Sequence, residues 1–434
     1  MQRIAVVNLG CPKNQIDSET MSGLLAEQGY QLVSRPEIAE IIIVNTCSFI
    51  HDARQESIDQ VLAMAELKKT GSCRQLLVAG CLAQMHHREL AEEIPEVDGF
   101  LGTGSVDKIL EVIAGKKELI LPPEQYDGLA ETRRLLSTYP WGYLKIAEGC
   151  SRRCSYCVIP RLRGPLRSKG MEQILVEARW LVQMGIKEII LIAQDTSQYG
   201  LDIAGRSLLP NLLVELEKIP GIHWIRLLYC YPDHITDELI DVMAASGKLC
   251  KYLDIPLQHS HPAILGSMGR KGGMELRELI DKLRHRIPGI ALRTTFMVGY
   301  PGETREHFQH LLDFVRWAEF DHLGSFPYSR EAGTRAGAMK GHVPPFIKKR
   351  RYRKLMTVQQ QIVHKRNAKL TGTKFKVLVD SVSGGTAYGR SYREAPEIDS
   401  NIIFPAMSVK VGDFVSVRCT GFNGYDLLGE IDNE

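Results

Sequence analysis

The 434-residue chain has no run of 18 consecutive apolar residues, which excludes a membrane-spanning helix as a reading of the sequence. Its first residues, MQRIAVVNLGC, lack the extended apolar stretch of a secretory leader, so a cytoplasmic protein with no membrane partner is expected. Charge excess is small: 54 Lys and Arg stand against 51 Asp and Glu. A net of +3 excludes a general affinity for nucleic acid as an account of the whole chain. Without a leader, the ten cysteines do not predict a disulfide framework, and in a reducing compartment they point to metal or redox use. What the chain does have is length for two or three domains and a 44% hydrophobic fraction, enough for real cores.

Residues 3–9 (RIAVVNL), 41–45 (IIIVN) and 76–80 (LLVAG) are short apolar runs. Helical periodicity fills the gaps at 17–28, 54–67 and 87–93, with Leu24, Leu25, Ile58, Val61, Leu62 and Ala65 as inward positions. Strands alternating with helices predict a parallel α/β sheet covered on both faces, over 1–118. Cys11, Cys47 and Cys81 each lie just past one of these strands. The carboxyl ends of parallel strands share one edge, where ligands bind, so the three can meet. Three buried free cysteines are the alternative. Cys73 precedes its strand and is not counted with them.

A Pro-containing connector over 119–138 leads to a second α/β series over 139–368. Strands are predicted at 142–147, 188–193, 223–228, 251–256, 291–298 and 321–326, and helices at 171–184, 207–218, 236–246, 274–287 and 304–318. Six β/α repeats predict a partial (β/α)6 barrel with its site at the carboxyl ends of the strands. Cys150, Cys154 and Cys157, in EGCSRRCSYCVIP, follow the first of them. Three thiolates so close together can hold an iron–sulfur cluster that needs four ligands, with one iron left open. A structural zinc site wants four closed ligands, and no second cysteine pair stands nearby, yet zinc stays open at this point. Gln194 and Asp195 follow strand two, Gln258 and His259 strand four, and Gly299 strand five. In MVGYPGET, Gly299 and Gly302 permit close backbone approach to a ligand; the alternative is an ordinary turn with Glu303 near a helix start. His259 is either catalytic or a polar loop residue.

With Tyr156 before its last cysteine, the 150–157 segment resembles the radical S-adenosylmethionine superfamily. The resemblance implies a 4Fe-4S cluster on Cys150, Cys154 and Cys157, whose open iron chelates S-adenosyl-L-methionine and whose electron cleaves the sulfonium. It also suggests Tyr156, Gln194, Gly299 and Glu303 as residues around that cofactor.

Residues 332–379 contain thirteen Lys or Arg and no acid. An amphipathic helix is predicted over 346–370, with Leu355, Val358, Ile362 and Val363 apolar. It either faces nucleic acid or is a solvated connector. Beyond 369, FKVLVDSV, TAYGRSY, DFVSVRCTGF and GYDLLGEI predict a small antiparallel β-barrel. From Asp380 onward four basic residues stand against nine acidic ones, which suits a basic protein partner or simply keeps the module in solution.

This order of parts resembles the methylthiotransferase family: an auxiliary-cluster domain, a radical S-adenosylmethionine core and a TRAM domain. The match implies a second 4Fe-4S cluster on Cys11, Cys47 and Cys81 that delivers sulfur, with a further S-adenosylmethionine supplying methyl. LGCPKNQIDSE (9–19) and PLQHSHPAILGSMGR (256–270) are similar to the ribosomal-protein, RimO-like subfamily rather than to the tRNA enzymes, which carry Gln-Met-Asn after the first cysteine. REAPEID (393–399) fits both, whereas His261, Pro262 and Ser168-Lys169 depart from the usual pattern. The implied reaction is methylthiolation of an aspartate β-carbon in small-subunit ribosomal protein twelve, free or in the assembled subunit, with an electron donor and a sulfur source as further partners. A tRNA adenosine methylthiotransferase and a two-cluster electron-transfer protein are the alternatives. That β-carbon carries a C–H bond no side-chain base deprotonates usefully near pH 7. Sulfur must therefore wait within contact distance of a carbon radical, so the Cys11/Cys47/Cys81 edge is expected against the Cys150 side of the barrel.

Overall fold

The computed structural model describes residues 1–126, 139–270 and 274–432. Six parallel strands form the N-terminal sheet, in the order Gln31–Leu32, Arg3–Asn8, Ile41–Thr46, Gln75–Gly80, Gly99–Leu101, Glu118–Leu119. Ile42 and Val44 enter one core, and Ile41 and Ile43 the other, because successive strand residues point to opposite faces. The strand order reverses between Arg3–Asn8 and Ile41–Thr46, the kind of switch point at which a crevice opens. Three short strands were not predicted, two of them only two residues long. Both helices beside the cysteines start earlier than periodicity suggested, at Pro12 and at Cys81 itself. Leu62, expected inside, is 47% exposed, while its neighbour Val61 is buried. Part of the predicted connector, 127–138, lies outside the described residues; Leu119 at its start belongs to the last N-terminal strand.

The central strands are Trp141–Lys145, Glu188–Ile192, Trp224–Leu227, Leu249–Gln258, Ala291–Val298 and His322–Pro327, all parallel and neighbours in chain order. Helices Met171–Gln183, Leu209–Glu217, Asp237–Ala245, Met274–Arg286 and Arg305–Ala318 separate them in sequence. The helix Pro345–Leu370 adds its apolar stripe, Leu355, Val358 and Ile362, to the same outer core. The basic run is thus a docked connector along one face; Arg366 and Gln359 anchor it on Asp321 and the Phe320 carbonyl.

The C-terminal module is a closed five-stranded barrel, Lys374–Ser383, Thr386–Arg390, Ile402–Pro405, Phe414–Asn423 and Asp426–Ile431. Four of its seams are antiparallel; the fifth, Ile402–Pro405 against Asp426–Ile431, is parallel. Its 391–399 segment plugs the central barrel. Ala395 packs with Tyr143, Ile190 and Tyr252, and the Tyr143 and Tyr252 hydroxyls donate to Glu397 and Asp399. From the other end Ile16 of the N-terminal helix joins the same cluster.

Glu188, at the start of the second barrel strand, lies beneath this plug between Arg226 (2.6 Å) and Arg390 (2.8 Å), and all three are buried. Burial pushes the Glu188 carboxyl up, but the two guanidiniums outweigh it and hold it below the usual carboxylate range. Its stabilisation is therefore complete above the ordinary carboxylate pKa and is lost as pH falls below it. Glu188→Gln leaves the buried Arg226 without a carboxylate and Arg390 with Asp380 alone, and lowers stability by about 3–5 kcal/mol at pH 7. Urea titrations at pH 7 and pH 4 check this; the gap between wild type and variant narrows at the lower pH.

Candidate active site

Cys11, Cys47 and Cys81 meet at the carboxyl edge of three adjacent strands because glycine lets the chain turn there. Gly10 has φ +95°, and a Cβ on it would lie 2.8 Å from the Cys47 Cβ. Gly80, with φ +90°, is pressed against Asn45 and the Thr46 carbonyl. Asn14 ties the three loops together. Its amide donates to the Leu9 and Thr46 carbonyls, both at 2.9 Å, and its Oδ1 faces the Cys81 Sγ at 3.9 Å. Cys11 caps the helix Pro12–Glu27 and Cys81 opens the helix Cys81–Glu93, so two of the thiols sit where helix dipoles favour an anion. Burial pushes the Cys81 thiol up to about 12, against the pull of Arg163.

Cys150, Cys154 and Cys157 lie beyond the first barrel strand. Gly149 (φ +79°) turns the chain into the Gly164–Pro165 backbone, and the Cys150 N–H donates to the Gly164 carbonyl at 3.0 Å. The loop is fixed by backbone bonds from Ser155 N–H to Met268 O (2.9 Å) and from Ala336 N–H to Ser155 O (2.8 Å). Burial pushes the Cys157 thiol up to about 12. Five of these six cysteines are half-buried, Cys81 being the exception, whereas Cys73, Cys230, Cys250 and Cys419 are all fully buried. The latter four behave as small core hydrophobes.

The two triads share a joint. Cys81 packs on Val158 and Leu162, directly after Cys157. Arg163, 3% exposed, reaches from that segment to Asp17 (2.6 Å), to Asn14 Oδ1 (2.6 Å) and to the Cys81 Sγ (3.6 Å). Lys145 and Glu148 of the barrel complete the network with Asp17, two cations against two carboxylates, all buried. Burial raises the Glu148 carboxyl, yet Lys145 and Arg163 together keep it well below the usual range. The expected meeting of the Cys11/Cys47/Cys81 edge with the Cys150 side is what the geometry has.

Other predicted residues fall differently. Gln194 donates to Glu148, and its Oε1 is buried without a partner. Gln258 Oε1, at a left-handed residue (φ +68°), and Arg152 Nη2 are likewise unpartnered, so open polar groups collect at the barrel mouth. The Tyr156 hydroxyl accepts from Arg270 at 3.2 Å, and its ring packs beside Met268 and Met297. Gly299 and Glu303 engage each other: the Glu303 carboxylate accepts the Gly299 and Tyr300 N–H groups and pairs with Arg351 at 2.8 Å. Burial nevertheless pushes that carboxyl up to about 6. The space above Gly299 is filled by Lys348. This is the ordinary-turn alternative, pinned to the connector helix. His259 is fully buried, 3.9 Å from Glu303. Asn14 and Arg163 were missed in the sequence; the signal available was a polar residue three positions after Cys11 and an arginine six after Cys157.

Among the described residues no three His, Cys, Asp or Glu side chains converge on one point, as a single zinc ion requires. A cubane needs a wider triangle, because each thiolate takes a different iron. A cavity of about 370 Å³ opens elsewhere, between the last barrel strand, the connector helix and the C-terminal module; no cysteine lines it.

Residues 3–102 match Uncharacterized protein family UPF0004, 144–315 the Radical SAM superfamily and 371–431 the TRAM domain. The chain is 49% identical to the ribosomal protein uS12 methylthiotransferase RimO of Pelotomaculum thermopropionicum, over 99% of both chains. It is 48% identical to the RimO proteins of Heliobacterium modesticaldum, covering 100% of this chain and 95% of that one, and of Geobacter sulfurreducens, covering 99% and 98%. The chain belongs to the RimO family of radical S-adenosylmethionine methylthiotransferases. Membership in the RimO family makes it an enzyme and removes the electron-transfer and zinc alternatives. The fold agrees: the radical S-adenosylmethionine methyltransferase TsrM of Kitasatospora setae superposes with a TM-score of 0.58, covering 89% of this chain and 80% of that one, at 15% identity. Among the described residues no helix of this RimO-family chain is long and apolar enough to cross a membrane.

Proposed function

We propose that this chain methylthiolates the β-carbon of an aspartate in ribosomal protein uS12. The observation that carries the reading is the joint itself, where Arg163 and Cys81 bring the edge bearing one cysteine triad onto the segment bearing the other. Cys150, Cys154 and Cys157 would hold one 4Fe-4S cluster, and Cys11, Cys47 and Cys81 a second. The donor sets suit both. Arg163 and Lys13 lie near Cys11 and Cys81, and Arg152 and Arg270 near Cys150 and Cys157, as anionic clusters require. When bound, the clusters and S-adenosylmethionine supply electron transfer, a carbon-centred radical, sulfur and methyl.

The protein's own part is to position and to shield. Residues 1–118 present the sulfur-bearing edge, 139–368 the radical-generating mouth, and 369–434 the plug beneath it. The unpartnered Oε1 atoms of Gln194 and Gln258 and the Nη2 of Arg152 provide polar groups for S-adenosylmethionine, and Tyr156 packs behind the cysteine loop. Gly299 and Glu303 shape that wall from behind. The partners are uS12, free or in the assembled small subunit, an electron donor and a sulfur source, in the cytoplasm.

An anaerobic assay with reconstituted chain, S-adenosylmethionine, reductant and a peptide of the aspartate-bearing uS12 loop tests this. A methylthio mass gain on the peptide is expected. Gain on tRNA with none on the peptide defeats the assignment.

A further inference from the structure

Lys13 stands out in the joint as a largely buried lysine that, among the described residues, forms no ion pair with a carboxylate of the chain. It is 7% exposed, and among the described residues its ammonium has neither a carboxylate within ion-pair distance nor a hydrogen-bond acceptor. Its one direct polar contact is the face of Tyr229, whose ring centroid lies 3.3 Å away. The nearby carboxylates are already taken. Asp17 holds Arg163 and Lys145, Glu148 holds Lys145, and Asp254 holds Arg293 at 2.9 Å. An ammonium that reaches a cleft from a largely buried side chain, with no carboxylate of its own, is placed to pair with an anion that enters there.

The surroundings fix where that ligand sits. Lys13 is two residues from Cys11, in the first turn of the helix Pro12–Glu27. Tyr229 lies just past the third barrel strand, in the left-handed region (φ +61°), and its N–H donates to Asp254 at 3.0 Å. A tyrosine has no glycine-like tolerance there, so the ring is held against its backbone preference, which is typical of binding sites. Cys11 and Tyr229 therefore flank the space in front of this ammonium, on the side where the N-terminal edge meets the barrel.

We propose that Lys13 binds the side-chain carboxylate of the substrate aspartate and so sets which carbon faces the two triads. The inference rests on the proposed uS12 reaction. The β-carbon is bonded directly to the carboxyl carbon, so gripping the carboxylate leaves that carbon little freedom. An unpaired ammonium selects an anion over an amide of the same shape. That makes Lys13 a specificity and positioning residue.

The test uses the full chain with reconstituted clusters and fluorescently labelled uS12-loop peptides, carrying Asp or Asn at the target position. Dissociation constants are measured for wild type, Lys13→Met and Lys13→Arg. A charge-assisted hydrogen bond of about 1.5–3 kcal/mol corresponds to roughly 10- to 100-fold in affinity. Wild type is expected to prefer the Asp peptide over the Asn peptide by about that ratio. Lys13→Met loses the preference through weaker Asp binding alone, and Lys13→Arg keeps most of it. General damage to the site, or a role in neutralising a cluster, weakens both peptides alike and preserves the ratio; that result overturns the proposal. Failure of the parent reading looks different, because wild type then adds no methylthio group to the Asp peptide at all.

Discussion

Cys154→Ala reduces S-adenosylmethionine cleavage to background, whereas Cys47→Ala abolishes methylthio product while cleavage continues. Each variant retains about four of the eight irons of two 4Fe-4S clusters. The reason is a division of labour set by position. Cys154 belongs to the loop held on Met268 and Ala336 at the barrel mouth. Cys47 is held on the N-terminal sheet by Ser57, which accepts its N–H at 3.0 Å. The two loops are fixed by separate hydrogen bonds, so loss of one triad leaves the other's framework standing. Iron analysis, deoxyadenosine release and peptide mass, measured on the same preparations, check the pair. Equal loss of cleavage in both variants would mean that the triads do not act separately.

Arg163→Met lowers stability by about 3–5 kcal/mol and uncouples cleavage from product. The substitution leaves Asp17 and Glu148 sharing Lys145 alone, with Asp17 1% and Glu148 3% exposed. It also removes the donor that Asn14 Oδ1 accepts at 2.6 Å. Asn14 holds the Leu9 and Thr46 carbonyls, so the cysteine loops of the N-terminal sheet loosen with it. The expected readouts are a lower urea midpoint and more deoxyadenosine released per methylthio group formed. A stability change below about 1 kcal/mol would show that the network is solvated in solution and does not set the joint.

Much of this was legible in the chain. The six barrel strands stand where apolar runs predicted them, because residues buried on both faces of a parallel sheet must be apolar almost without a break. Val358 and Ile362 faced inward as the helical period required. The failures have physical causes. Gly99–Leu101 and Glu118–Leu119 are too short to carry a period. The first helix began five residues early because its buried first turns hold Asn14, Asp17 and Ser18, polar residues that no hydropathy pattern marks as interior. The sequence left Gly299 and Glu303 open between a ligand wall and an ordinary turn, because the Arg351 and Lys348 contacts from the connector helix are not local to that segment.

By itself, the sequence determined the longer strands, the order of the three units and the two cysteine triads, since apolar period and ligand spacing are local properties of the chain. Tertiary structure alone decided the rest. Asn14 and Arg163 meet across 149 residues, and Tyr143 and Glu397 across 254. A buried polar group has no meaning until its partner is known, and Lys13 is conspicuous only because the fold sets it on the Tyr229 ring with no carboxylate of the described residues in reach.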